Sequence, residues 1–230
     1  MGEFFKNEDQ NNIAAVIGQP IKHSLSPIIH NAAFSHQKLN WSYSAIEVSK
    51  HELSDCFEEI RDNGIRGVSV TMPLKEAVIP FLDRVTPAAT ELEAVNCIFW
   101  DMDELVGHNT DGDGFVNSLI AETGDQISGT SFAIIGAGGA ARSVIRSLKK
   151  ASVGEIVVIN RNQEKAKFAS ELGHPVAEVG TVEKIPCCKY VINATSIGMA
   201  ETTNEGLMPF PMEYLNNNQT VIDLVYNPIM

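Results

Sequence analysis

Residues 131–143, SFAIIGAGGAARS, have the composition and spacing of a phosphate cradle. Three glycines and three alanines follow an apolar run within six residues. Read as G-x-G-x-x-G/A, the positions are Gly136, Gly138 and Ala141. Gly136 permits a tight strand-to-helix turn, Gly138 lets backbone approach a pyrophosphate, and Ala141 keeps the helix near the sheet. Backbone N–H groups and the helix dipole then face the anion. The plainer alternative is a structural turn. A strand before and the helix-compatible run 140–149 after supply the context that dinucleotide binding requires. The next apolar run, 155–159, ends at Asn160-Arg161-Asn162. An NAD site usually has Asp or Glu there for the ribose 2′-hydroxyl. This stretch has none. Arg161, with Lys165 one helical turn on, suits a 2′-phosphate through charge-assisted hydrogen bonds of about 1.5–3 kcal/mol each. The expected cofactor is NADP.

Other polar residues stand where ligands are held. The loop 18–27 reads GQPIKHSLSP, and Ser26 is expected to cap a helix that has Pro27 at its first position. Ser24 and Ser26 serve as turn and cap residues, and with Lys22 and free helix N–H groups they also suit a carboxylate. Lys75 follows a strand at 66–71 and the break at Pro73, and is expected to open a helix reaching about residue 82. The carboxyl end of a parallel strand is where open α/β sheets place ligands. A lysine in a first helical turn opposes the dipole, a local cost that points to function. The end of the strand 189–193, running through Thr195 to Met199, offers small residues for a nicotinamide ribose. D-x-D-G at 111–114 lacks the EF-hand spacing and terminal Glu. There is no His pair at ligand spacing with a carboxylate, and His23 and His30 read as packing or capping groups. No metal is expected.

The elements that position these residues alternate. Strands are expected at 13–17, 41–48, 66–71, 132–135, 155–159, 189–193 and 220–224. Helices are expected at 26–38, 51–63, 115–122 and 140–149, with a helical turn at 90–94. A hairpin joins 95–100 to 104–107 around Asp101-Met102-Asp103. This order argues for two α/β units. Residues 1–112 form a mostly parallel α/β substrate-binding domain, and residues 113–230 a Rossmann-type NADP-binding domain.

Composition bounds the function. The 230 residues are 44% hydrophobic and 20% charged, an ordinary globular balance. The net charge of −12 argues against nucleic acid, which needs a basic surface, but leaves room for a local cationic pocket. No apolar run approaches the roughly 20 residues of a membrane span, and the polar start MGEFFKNEDQNN is unlike a signal peptide. Four cysteines without C-x-x-C spacing read as reduced thiols in a cytoplasmic protein. The expected partner is a small molecule, and the chain is expected to be a monomer or homodimer.

Six ordered motifs now make the chain identifiable as similar to a known family. They are GxPIxHSxSPxxHN at 18–31, VTxPxK at 70–75, AVN at 94–96, NTDG at 109–112, the glycine loop, and NATSxGM at 193–199. The chain resembles the shikimate dehydrogenases, which reduce 3-dehydroshikimate with NADPH in aromatic amino acid biosynthesis. The resemblance implies that Ser24 and Ser26 hold the substrate carboxylate, with Tyr226 near it. It implies that Thr71, Asn96 and Asn109 bind ring hydroxyls and that Lys75 and Asp111 form the catalytic pair. On the cofactor side it implies Gly138, Gly139 and Ala140 at the pyrophosphate and Asn160, Arg161 and Lys165 at the 2′-phosphate. Gly136, Thr195, Met199 and Val225 complete the candidate cofactor set. Two departures stand out. Glu93 replaces the glycine of the usual GAVNT, which strains a turn. Relatives also continue beyond VYxP with helices that fold back on the first domain, so a shortened chain is expected. A quinate enzyme using NAD and a non-catalytic NADP-binding fragment are the alternatives.

Overall fold

The computed structural model describes residues 4–5, 12–199 and 206–225. The candidate Tyr226 lies outside them. The chain divides into two compact units, residues 1–109 and 110–230.

The first unit is built on a six-stranded sheet. Its elements are β1 (Asn12–Gly18), α1 (Ser26–His36), β2 (Trp41–Glu47), α2 (Leu53–Asp62), β3 (Gly67–Val70), β4 (Arg84–Val85), α3 (Pro87–Leu92), β5 (Cys97–Asp101) and β6 (Glu104–His108). The strand order is β2-β1-β3-β5-β6-β4. β1 pairs in parallel with β2 and β3, and β4 with β6, whereas β5 runs antiparallel to both neighbours. The sheet is therefore mixed, because the tight turn at Asp101–Glu104, with Met102 at φ 54°, can only reverse the chain. β1 is buried on both faces, as a near-continuous apolar central strand should be. One face carries the larger core, which includes Ile17, Leu53, Ile60, Ile65, Leu74 and Ile98. The other face carries Ala14, Val16, Ile21 and Tyr43 under Phe34 and Trp41. α1 buries none of its residues, and Ile28 and Ile29 are 69% and 62% exposed.

Three local expectations need correction here. Ser26 does not cap α1: it is the first helical residue, Leu25 holds the cap position, and the Ser26 N–H donates to Ser24 Oγ at 3.3 Å. Pro27 still falls in the first turn, where its missing N–H costs nothing. Lys75 does not open a helix: turns fill 72–78, and only a short 3₁₀ segment, Ile79–Phe81, follows. With no helix opening there, no helix dipole opposes the Lys75 charge. The helix placed at 115–122 begins earlier, at Asp111.

The second unit starts with that helix, α4 (Asp111–Thr123), and continues through β7 (Ser131–Ile135), α5 (Gly139–Lys150), β8 (Glu155–Ile159), α6 (Gln163–Leu172), β9 (Ala177–Val179), β10 (Tyr190–Asn193) and β11 (Thr220–Asp223). All its strands are parallel, in the order β11-β10-β7-β8-β9. β7, β8 and β10 are almost fully buried, as apolar runs flanked by βα crossovers must be. Helix crossovers on a parallel sheet whose order reverses beside β7 make this a Rossmann-like unit. Among the described residues no helix is long and apolar enough to cross a membrane.

Candidate functional site

In the first unit the candidate residues gather where β1 and β3 end. Gly18 closes β1, and a Cβ there would lie 2.4 Å from Thr71 Cγ2 and 2.9 Å from the Met72 carbonyl, so only glycine allows this approach. Thr71 donates its N–H to the Ile17 carbonyl at 2.9 Å and sits half-buried. The Val95 N–H donates to the Lys75 carbonyl at 2.8 Å, and the Val70 N–H to the Asn96 carbonyl at 2.8 Å. Asn96 returns its own N–H to the His108 carbonyl at 3.0 Å. Asn109, only 6% exposed, donates Nδ2 to the Ala94 carbonyl at 2.9 Å. Thr71, Lys75 and Asn96 are thus tied by backbone bonds, and Asn109 by its side chain, into one frame. Lys75 and Asn96 remain half-buried, a placement that leaves side chains able to meet a ligand. Glu93 adopts φ 50° and ψ 37°, the left-handed region that favours glycine. The expected strain is real, and it stays local to the end of α3.

Ser24 and Ser26 lie at the start of α1, one loop beyond Gly18. Two residues missed by sequence reasoning hold that helix. Asn31 Nδ2 donates to the Tyr43 carbonyl at 2.8 Å, and the Tyr43 N–H donates to Asn31 Oδ1 at 2.9 Å. The Tyr43 ring stacks on His30, with centroids 4.2 Å apart, and its hydroxyl donates to Ser69 Oγ at 2.7 Å. His30 is therefore a packing group. Burial pushes the Tyr43 hydroxyl above its ordinary range. The signal in the sequence was the HN pair of the first motif, which reads as polar helix surface without the strand opposite.

In the second unit the candidates gather at the carboxyl ends of β7, β8 and β10, where open α/β sheets bind ligands. Gly136 has φ +119°, and a Cβ on it would lie 2.8 Å from the Ala194 carbonyl oxygen. Its N–H donates to the Ile159 carbonyl at 2.8 Å. Gly138 is exposed, and a Cβ there would meet only open space. α5 begins at Gly139, with Ala140 next and Ala141 wholly buried against the sheet. Glycine at 136 is thus demanded by the protein itself, whereas 138 has open space around it. Asn160, Arg161 and Lys165 follow β8. Asn160 Nδ2 donates to the Asn162 carbonyl at 2.9 Å, and Asn162 Oδ1 accepts the Lys165 N–H at 3.0 Å as the cap of α6. Arg161 and Lys165 are exposed. A fixed turn with two cations, beside open helix N–H groups, fits an adenosine dinucleotide bearing a 2′-phosphate.

Thr195, Met199 and Val225 are half-buried. The first and last are held through Asn193, which is 3% exposed. Asn193 Oδ1 accepts from Thr195 N at 3.1 Å and Thr195 Oγ1 at 2.7 Å, while its Nδ2 donates to the Ile197 carbonyl and to Asp223 Oδ1. The Val225 N–H also donates to Asp223 Oδ1, at 2.9 Å. Asn193 and Asp223 join two strand-end loops into one surface, and an Asn at a strand end is the usual device for such a turn. Asp111 opens α4, half-buried. Among the described residues, no group of three or more His, Cys, Asp or Glu stands together as a metal site.

Residues 16–98 match the family model for the shikimate dehydrogenase substrate binding domain, and residues 118–224 that for shikimate / quinate 5-dehydrogenase. The chain belongs to the shikimate dehydrogenase family. It is 39% identical over 227 residues to the shikimate dehydrogenase (NADP(+)) of Moorella thermoacetica, covering 94% of this chain and 76% of that protein. It also superposes on the shikimate dehydrogenase of Aquifex aeolicus with a TM-score of 0.85 and 33% identity, over 95% of this chain and 80% of the other. The shikimate 5-dehydrogenase of Thermus thermophilus, solved with NADP(H) and shikimate, gives 0.84 and 34% over 94% and 80%. Membership accounts for the two-unit build, in which a substrate-binding α/β unit precedes a Rossmann-like one.

Proposed function

We propose that this chain interconverts 3-dehydroshikimate and shikimate with NADP(H), the first unit binding the substrate and the second the cofactor. The observation that carries the cofactor choice is the end of β8, where Asn160-Arg161-Asn162 presents a cation and no acid. In the first unit, Ser24 and Ser26 take the carboxylate and Thr71, Asn96 and Asn109 the ring hydroxyls. The loop 136–140, with Arg161 and Lys165, would hold NADPH, which when bound would supply the hydride. The carbonyl oxygen that receives the electron pair becomes an alkoxide, which needs stabilisation and a proton. We assign both tasks to the Lys75 ammonium, with Asp111 as the second member of the catalytic pair. In the oxidative direction Lys75 takes the proton from the alcohol. The four cysteines, all free, fit work in the cytoplasm.

The test is shikimate-dependent reduction of NADP⁺ by the 230-residue chain, with quinate, NAD⁺ and Lys75→Ala as controls. Turnover that is lost in Lys75→Ala is the expected result. Preference for quinate and NAD⁺ replaces the reading with that of the quinate enzyme. Stabilisation by NADP⁺ without turnover leaves a cofactor-binding protein, and silence in both overturns the proposal.

A further inference from the structure

Only one member of the Lys75–Asp111 pair belongs to the unit that carries the glycine loop. Asp111 is the first residue of α4, and α4 is pressed against α5, the helix that the glycine loop opens. The contact is close. A Cβ on Gly112 would fall 2.1 Å from the Ser143 carbonyl oxygen and 2.5 Å from Ser147 Oγ, so this residue must be glycine. Ser143 in turn donates its hydroxyl to the Gly139 carbonyl at 2.9 Å, at the start of α5. One residue further on, Asp113 accepts a hydrogen bond from Ser147 Oγ at 2.7 Å, and Lys150 Nζ lies 3.3 Å from the same oxygen. Ser147 is 6% exposed, so its hydroxyl is committed to this bond. Hydrogen bonding from Ser147, followed by the Lys150 charge, holds the Asp113 carboxyl below its ordinary range.

We infer that Asp113, through Ser147 and across Gly112, is a positioning residue that sets Asp111 in register with the cofactor-binding end of α5. The inference rests on the reading of Asp111 as half of the catalytic pair. Its logic is geometric. α4 begins where the chain enters the second unit, and the N-terminal residue of a helix has no preceding turn to hold it. Gly112 lets the backbones approach, and the Asp113–Ser147 bond stops α4 from rotating or sliding along α5. The Asp113 side chain is 62% exposed and Lys150 54%, so the ion pair is screened and adds little. The hydrogen bond that the Asp113 carboxylate accepts from the buried Ser147 hydroxyl is what matters. This separates the inference from a general stabilising salt bridge.

The experiment compares the full 230-residue chain with Asp113→Ala, Asp113→Asn and Lys150→Ala. Asparagine keeps an oxygen for Ser147 and loses only the charge, and Lys150→Ala removes only the ion pair. At saturating shikimate and NADP⁺, kcat of Asp113→Ala is expected to fall roughly tenfold or more, as a displaced catalytic group demands. Its KM for NADP⁺ and the kcat of Asp113→Asn and Lys150→Ala are expected to stay within about twofold of the parent. An unchanged kcat in Asp113→Ala, a loss confined to KM for NADP⁺, or an equal loss in all three variants overturns the inference. A parent chain that does not turn over shikimate sinks the dehydrogenase reading instead. Amide hydrogen exchange over residues 114–119 with NADP⁺ present then decides the register by itself. Exchange roughly tenfold faster in Asp113→Ala than in Asp113→Asn supports it, and equal exchange refutes it.

Discussion

Gly136 shows how a single residue can answer to the protein before it answers to a ligand. Its φ of +119° lies where side chains are strained, and the Ala194 carbonyl fills the space a Cβ would need. The motif assigns this glycine to a tight turn, and the turn is there. The structure adds that the same residue abuts the loop carrying Thr195, whose Cγ2 would lie 3.2 Å from that Cβ. Gly136→Ala is therefore expected to lower stability by about 1–3 kcal/mol, the cost of a strained backbone residue. It is also expected to abolish the rise in melting temperature with NADP⁺. Urea unfolding and a melting series with cofactor check both halves. A variant with parental stability and parental NADP⁺ response would show that the contact with Ala194 relaxes freely.

At the scale of elements, a helix with no buried residue carries Ser26, with Ser24 in the loop just before it. α1 contributes no buried residue, so apolar packing does little to hold Ser24 and Ser26 in place. What holds it is a side-chain amide meeting an edge strand. β2 lies at the end of the sheet, and Tyr43 turns its N–H and C=O away from β1. Asn31 satisfies both groups, closing an edge that would otherwise be open to pairing. Asn31→Ala leaves two backbone groups beside a buried ring without partners, at a cost of about 1–3 kcal/mol. We expect that loss in chemical denaturation, together with a raised KM for shikimate and little change in KM for NADP⁺. A KM for shikimate that does not move would detach α1 from the substrate. The elements that sequence reading misplaced were of the same weakly specified kind. Residues 72–78 look helical after Pro73, yet the chain there is held by bonds from Val95 and Leu74, one of them from another part of the unit.

Over the whole molecule, acidity sets the response to pH. The chain carries a net charge of −12. Asp125 is tied into the fold. It accepts from Lys189 Nζ at 2.7 Å and from the Tyr190 hydroxyl, joining the segment after α4 to the base of β10. The Lys189 ammonium, then the Tyr190 hydroxyl, hold its carboxyl below the ordinary 3.8. A depressed carboxyl stabilises the fold above its unfolded value, and the contribution disappears as pH falls through the folded value. Asp125→Asn is thus expected to be less stable than the parent at neutral pH, with the difference disappearing in acid as the carboxylate is protonated. Urea midpoints at neutral and acid pH check this, and a difference that persists in acid would assign the loss to packing around Tyr190.

Local chemistry made much of this protein legible in its sequence. The strands β7, β8 and β10 are runs of apolar residues, and the glycine loop lies between a strand and a helix, the context that dinucleotide binding requires. Arg161 without an acid beside it distinguished the cofactor, because a 2′-phosphate and a 2′-hydroxyl ask for opposite charges. Short-range signals of this kind depend on residues within one or two turns of each other. The cap of α1, the turns around Lys75, the Asn31 clamp on Tyr43 and the Asp113–Ser147 bond depend on partners 12 to 34 residues away, or on backbone geometry that no composition records. Sequence determined which residues could do the chemistry. Only the tertiary structure decided which backbone frames hold them, since those frames are made of hydrogen bonds between segments that meet only once the sheets have formed.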